Sequence, residues 1–182
     1  MNSNENYQQE YLKFQSELKS YLYRIVTHRQ LAEDLAQDTF IKSFEKIDSF
    51  KGSSSFKTWV FTIATNLARD HFRSKERWGT DWMDLVRDAH VSDKKLLEKK
   101  FHVAKNSPHG TFVMREHLNY CFTCISKTLL LQQQICLLLK EIYGFKVSEI
   151  ATILELTEGR VKHAIADSRK ILTKIFEHKC AL

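Results

Sequence analysis

The residues Val147-Ser148-Glu149-Ile150-Ala151-Thr152-Ile153-Leu154, followed by Glu155-Leu156-Thr157 and a run from Glu158 to Phe176, decide the fold. Val147, Ile150, Ala151 and Leu154 recur at three- and four-residue spacing and make one apolar face of a short helix. Val161, Ala164, Ile165 and Leu172 do the same for a second helix, and Thr157 stands where a hydroxyl caps its start. Two helices joined by a tight turn, the second studded with basic side chains, form a helix-turn-helix layout. In that layout the first turns of the second helix enter a DNA major groove, and here they carry Glu158, Arg160, Lys162 and His163. Arg160 and Lys162 are the best placed to contact DNA, because their types serve both base edges and phosphates. Arg169 and Lys170, farther along, suit backbone contacts. The pattern also fits an ordinary amphipathic helix with a solvated side, so the DNA reading needs support from the rest of the chain.

Upstream of this pair, a helical block starts near Phe112 and passes through His117, Cys121, Cys124 and a strongly apolar segment from Ile135 to Leu139. Before it, Asn106-Ser107-Pro108-His109-Gly110 holds the single proline and is the natural linker. The N-terminal half reads as three helices. Tyr11, Phe14, Leu18, Leu22 and Ile25 line the first, from Glu10 to about Val26, and Thr27-His28-Arg29-Gln30 has the Thr-x-x-Gln form of a capping box. Leu31, Leu35, Phe40, Phe44 and Ile47 line the second, before turn residues from Asp48 to Ser55. The third begins at Phe56, with Trp59, Val60, Ile63, Ala64 and Leu67 on one face and Lys57, Asn66, Arg69, Asp70, His71, Arg73, Lys75 and Arg77 outside it. A short helix is predicted around Asp81 to Ala89.

The whole reading is all-α: two small helical domains joined by a linker, the C-terminal one containing the helix-turn-helix. We set the boundaries at 1–90, 91–111 and 112–182. Five glycines and one proline are few for the tight turns of an all-β chain of 182 residues. Lys plus Arg outnumber Asp plus Glu by 28 to 22, a net charge of +6 that suits an anionic partner. The polar N-terminus lacks a secretory signal, and no stretch approaches the ~18 apolar residues of a membrane helix. A cytoplasmic protein with no membrane insertion is expected, in which disulfides are improbable. No phosphate-binding glycine loop, zinc-protease motif or nucleophile setting points to an enzyme.

At this point the sequence resembles a known family. Ser148-Glu149-Ile150-Ala151 through Thr157-Glu158-Gly159-Arg160-Val161-Lys162 is similar to region 4 of bacterial sigma factors, which reads the minus-thirty-five promoter element. Ala32 to Phe40 resembles the polymerase-binding segment of region 2, and Phe56 to Asp70 its promoter-melting segment. The resemblance covers roughly residues 10 to 80 and 112 to 177, in the right order and with an interval between them too short for the additional domains of a housekeeping sigma factor, which points to the two-domain extracytoplasmic-function (ECF) group of the sigma-70 family. It implies a factor that binds core RNA polymerase, directs it to promoter DNA and initiates transcription, is held by an anti-sigma factor, and needs no cofactor. Asp34, Gln37, Asp38 and Lys42 then supply the polar half of a polymerase-binding face. Lys57, Asn66, Arg69, Arg73 and Arg77 become the groups that hold and read opened DNA, joined by Arg160, Lys162, His163 and Arg169 in the second domain. Trp59, Phe56 and Phe61 lie on or beside the apolar stripe and suit core anchors better than stacking platforms. Asp70 suits a local pair with Arg73 or Arg69. The family usually follows Val-Lys with a small residue and Arg; His163-Ala164 stands there instead, which leaves base preference open at that contact.

Two other readings compete: a stand-alone helix-turn-helix regulator, and a metal-binding interaction protein that retains a sigma-like shell. The second draws on His117, Cys121 and Cys124, which share a helix face at i, i+4 and i+7 and have the chemistry of a zinc site. A closed site needs a fourth ligand, for which His102, His109 and Cys136 are candidates, and buried cysteine is also a common core residue.

Overall fold

The computed structural model describes residues 3–75, 125 and 128–179, and every regular element among them is helical. The predicted helix at Asp81 to Ala89, the linker and its boundaries, Arg77, and His117, Cys121 and Cys124 lie outside the described residues.

The first block comprises α1 (Ser3–Val26), α2 (Arg29–Glu45), a 3-10 turn (Ile47–Ser49) and α3 (Phe56–Lys75). The predicted stripe of α1 is buried throughout, from Tyr11 to Ile25. Its helix starts two turns earlier than Glu10, and Tyr7 holds those turns down by packing 4.9 Å from Phe56 and edge-on to Phe50 at 5.8 Å.

The capping box at Thr27 does not form. Thr27 closes α1 instead: its N–H bonds to the Tyr23 carbonyl at 2.8 Å, and its φ of 53° is left-handed. The cap of α2 is His28, whose Nδ1 accepts the Leu31 N–H at 3.2 Å. Of the predicted stripe Leu31, Leu35, Phe40, Phe44 and Ile47, Leu35 and Ile47 are buried and Leu31 and Phe44 partly so, but the buried face of α2 otherwise differs. It is made of Ala32, Leu35, Ala36, Thr39 and Ser43, mostly small residues that let the helix sit close on α1 and α3. Phe40 is pushed to the rim, 37% exposed, where its ring packs tilted against Phe44 at 4.7 Å and edge-on to Tyr11 at 5.1 Å.

After the turn at Gly52, Ser55 caps α3 by accepting the Thr58 N–H at 3.0 Å. Val60, Ala64 and Ala68 are buried along this helix with Phe56 and Phe61, and Trp59 is half-buried between Phe50 and Phe56, an anchor as the pattern suggested.

The second block comprises α4 (Leu131–Glu141), α5 (Val147–Leu154) and α6 (Glu158–Lys179). Ser168 binds α6 to α4 through the Gln133 carbonyl at 3.3 Å. The α5–α6 turn is a Schellman closure: Leu156 N–H reaches the Ala151 carbonyl at 2.9 Å, Glu155 N–H reaches Thr152 at 3.3 Å, and Glu155 is left-handed. Thr157 then caps α6, its Oγ1 accepting the Arg160 N–H at 3.4 Å. Ile153, absent from the predicted α5 stripe, is wholly buried. The reason is that α5 packs against α3 of the first block as well as α6. The two blocks share one continuous buried cluster that includes Tyr21, Phe61, Cys136, Phe145 and Ile150. Among the described residues no helix is long and apolar enough to cross a membrane.

Candidate nucleic-acid and partner interfaces

On α2 the side chains of Asp34, Gln37, Asp38 and Lys42 are all exposed. Steps of three and four residues put them on one face, opposite the small buried stripe. Gln30 donates to the Asp34 carboxylate at 3.2 Å at the start of this face. Sequence reading missed the apolar half: Ile41, seven residues after Asp34, is 43% exposed on the same face. The signal was available, since a small-residue stripe at 32, 36, 39 and 43 turns position 41 outward. An apolar centre ringed by charges is the composition of a protein-binding surface.

Asn66 and Arg73 are exposed on α3 and Arg69 is half-exposed between them. At about 100° per residue these three share a face. Arg73 pairs with Asp70 at 3.5 Å, the local arrangement anticipated for that acid. Lys57 does not join them. Nine positions before Asn66, it points to the opposite side of α3, where both Glu17 oxygens lie 2.8 Å from its Nζ. The same ammonium sits 5.1 Å from the centre of the Phe145 ring and 5.7 Å from that of Phe61.

On α6, Val161, Ala164, Ile165 and Ser168 face inward, leaving Arg160, Lys162 and His163 exposed over the first two turns. Lys162 lies 3.7 Å from Glu158, a solvated i,i+4 pair that gives way to a phosphate at little cost. Arg169 is engaged differently: its guanidinium pairs with Glu141 of α4 and braces the two helices. The open surface of the first turns therefore carries three of the four predicted groups of this helix, and Arg169 reaches DNA only by exchanging its partner.

Cys136 is fully buried in α4, and burial pushes its thiol up to about 11. A protonated thiol in the core is not a ready nucleophile. Among the described residues no group of three His, Cys, Asp or Glu side chains could hold a metal ion.

Comparison with known proteins agrees with this geometry. Sigma-70 region 2 matches residues 11–78 and sigma-70 region 4 matches residues 121–172. The ECF RNA polymerase sigma factor SigW of Bacillus subtilis is 33% identical over 156 residues, which span 84% of this chain and 79% of SigW. The RNA polymerase sigma-H factor of Pseudomonas aeruginosa is 28% identical over 168 residues, 91% of this chain and 83% of that one. The sigma factor RpoE of Bartonella quintana, solved in complex with the anti-sigma factor NepR, shares the fold with a TM-score of 0.66 at 22% identity, covering 95% of this chain and 98% of that chain. With both regions matched in order, the chain belongs to the sigma-70 family as an ECF sigma factor, a non-enzymatic subunit that directs RNA polymerase to promoters.

Proposed function

We propose that the α2 face of Asp34, Gln37, Asp38 and Lys42, with Ile41 at its centre, docks on core RNA polymerase. The α3 face of Asn66, Arg69 and Arg73, together with Arg77 farther along the sequence, then holds and reads the opened minus-ten strand, while Arg160, Lys162 and His163 of α6 engage the minus-thirty-five duplex. Lys57 and Arg169 contact DNA only after leaving Glu17 and Glu141. The observation that carries this reading is the separation of the two surfaces: a mixed polar and apolar face on α2, and a cationic face with an amide on α3.

The functional units are 1–90, a linker at 91–111, and 112–182. The protein acts in the cytoplasm beside the polymerase, needs no cofactor for any of these steps, and is held by an anti-sigma factor, as RpoE is by NepR. Zinc at His117, Cys121 and Cys124 would be an addition to this function and not a part of it. In vitro transcription with core polymerase and a promoter library tests the reading. Start sites that depend on the chain are expected, and their absence together with absent polymerase binding overturns it in favour of a stand-alone regulator.

A further inference from the structure

We propose that the phosphate contacts on the second half of α6 are made by Lys170 and Lys174, and that Arg169 gives way to them because its guanidinium already serves α4. This rests on the assignment of α6 to the minus-thirty-five duplex above.

The buried stripe sets the direction of each side chain. Val161, Ala164, Ile165 and Ser168 are buried and fix which side of α6 faces the protein. At about 100° per residue, the direction opposite their mean passes within about 10° of Lys170, about 30° of His163 and about 50° of Lys174. His163, Lys170 and Lys174, spaced by seven and four residues, therefore form one outward ridge, and all three are exposed. Arg169 lies about 90° from that direction, on the flank, where it pairs with Glu141 of α4. Two neighbouring cations thus have separate tasks: Arg169 joins two helices, and Lys170 faces outward.

Pairing separates them too. Lys162 has Glu158 at 3.7 Å, whereas among the described residues no carboxylate pairs with Lys170 or Lys174. Asp167, three positions before Lys170, lies about 60° round the helix from it and only about 20° from the direction of Arg160. The two lysines can meet a phosphate without giving up a protein contact, while Arg169 must first leave a carboxylate.

Reach decides what the lysines touch. At about 1.5 Å per residue, Lys170 stands about 12 Å and Lys174 about 18 Å behind Lys162. A major groove is about 12 Å wide and about 8.5 Å deep. A helix that enters it by its first turns has left the base edges by Lys170 and passes the phosphate wall there. Lysine, a mobile point charge without the planar fork of arginine, suits that place. Its contribution is to affinity and not to sequence preference.

The test is promoter binding by preformed holoenzyme, made from core polymerase and the full chain, on a duplex fragment recovered in the transcription assay and titrated over a range of salt. Lys170→Gln with Lys174→Gln should lower the slope of log affinity against log salt by about 2, equally for every minus-thirty-five variant of the fragment. Lys170→Arg with Lys174→Arg should restore the slope, and Arg169→Gln should lower it by less than half as much as the glutamine pair. Both lysines are exposed, so the urea midpoint should hold. A glutamine pair with the wild-type slope, while Arg160→Ala and Lys162→Ala lower it, overturns the proposal and leaves the assignment of α6 standing. A greater loss for Arg169→Gln than for the glutamine pair, or a loss confined to particular promoter letters, overturns it as well. Slopes unmoved by all of these variants overturn the assignment of α6, and the proposal with it.

Discussion

The Glu149 carboxylate joins two helices that belong to different regions: one oxygen accepts the Lys146 N–H at 2.8 Å, and the other accepts the Thr58 hydroxyl at 3.3 Å. Thr58 in turn shares a 2.8 Å hydroxyl contact with Ser55, so the start of α3 and the start of α5 are tied by one hydrogen-bonded chain. Glu149→Ala should cost about 1–2 kcal/mol in urea unfolding, because a helix N-terminus loses its acceptor and the hydroxyl of buried Thr58 loses one of its two partners. Glu149→Gln keeps an acceptor oxygen and should cost less than half of that.

Glu155 stands in the left-handed region at φ 55°, ψ 46°, and its side chain is exposed. Glycine meets that backbone without the Cβ penalty. Glu155→Gly should therefore stabilise by about 1 kcal/mol, read as a higher urea midpoint at unchanged slope. Glu155→Ile should move the midpoint down.

For the polymerase face, Gln37→Ala with Asp38→Ala should weaken binding to core polymerase measurably, and Ile41→Ala should do so by about 1 kcal/mol or more as the apolar centre. All three positions are exposed, so the unfolding midpoint should not move. Equal affinity in titrations with labelled core enzyme would remove the face from consideration.

Lys162→Ala and Arg160→Ala should each lower promoter-specific initiation while core binding is retained. If Lys162 meets a phosphate, its removal lowers the slope of log affinity against log salt by about 1, uniformly across sequences. Loss confined to particular promoter letters would mark that residue as a base reader.

Alkaline pH should unfold the protein earlier than carboxylate chemistry suggests. Burial raises the Tyr11 phenol to about 12, while its hydroxyl reaches toward the Ala36 carbonyl at 3.5 Å. The unfolded chain releases that proton from the ordinary value of 10.0. Above that pH the unfolded state binds fewer protons than the folded one, and stability falls until the folded phenol also ionises. Tyr11→Phe should flatten this loss between pH 10 and 12 in pH-dependent urea titrations.

Helical periodicity made α1, α3 and the helix-turn-helix legible, since each buries one stripe of large apolar residues. It failed where the stripe is small or doubled. On α2 the contacts are made by Ala32, Ala36, Thr39 and Ser43, so the eye goes to Phe40, which ends at the rim. On α5 a second neighbour buries Ile153 outside the expected stripe. In the sequence Lys57 stands at the start of an aromatic helix with no visible partner. Its acceptor lies 40 residues earlier, and the Phe145 ring beneath it comes from the other block. Contacts over such separations leave no periodic trace in either segment. The exposed cations of α6 needed no distant partner, and Arg160, Lys162 and His163 stand where their spacing put them.

The small-residue underside of α2 has an evolutionary corollary. Alanine, serine and threonine, with Leu35, make up the buried side of α2, so outward positions such as Asp34, Gln37, Asp38 and Ile41 are not needed to fill the interior. Those positions are free to diverge with whatever docks there, and two relatives could exchange their outer α2 residues, and with them their choice of partner, while folding equally well.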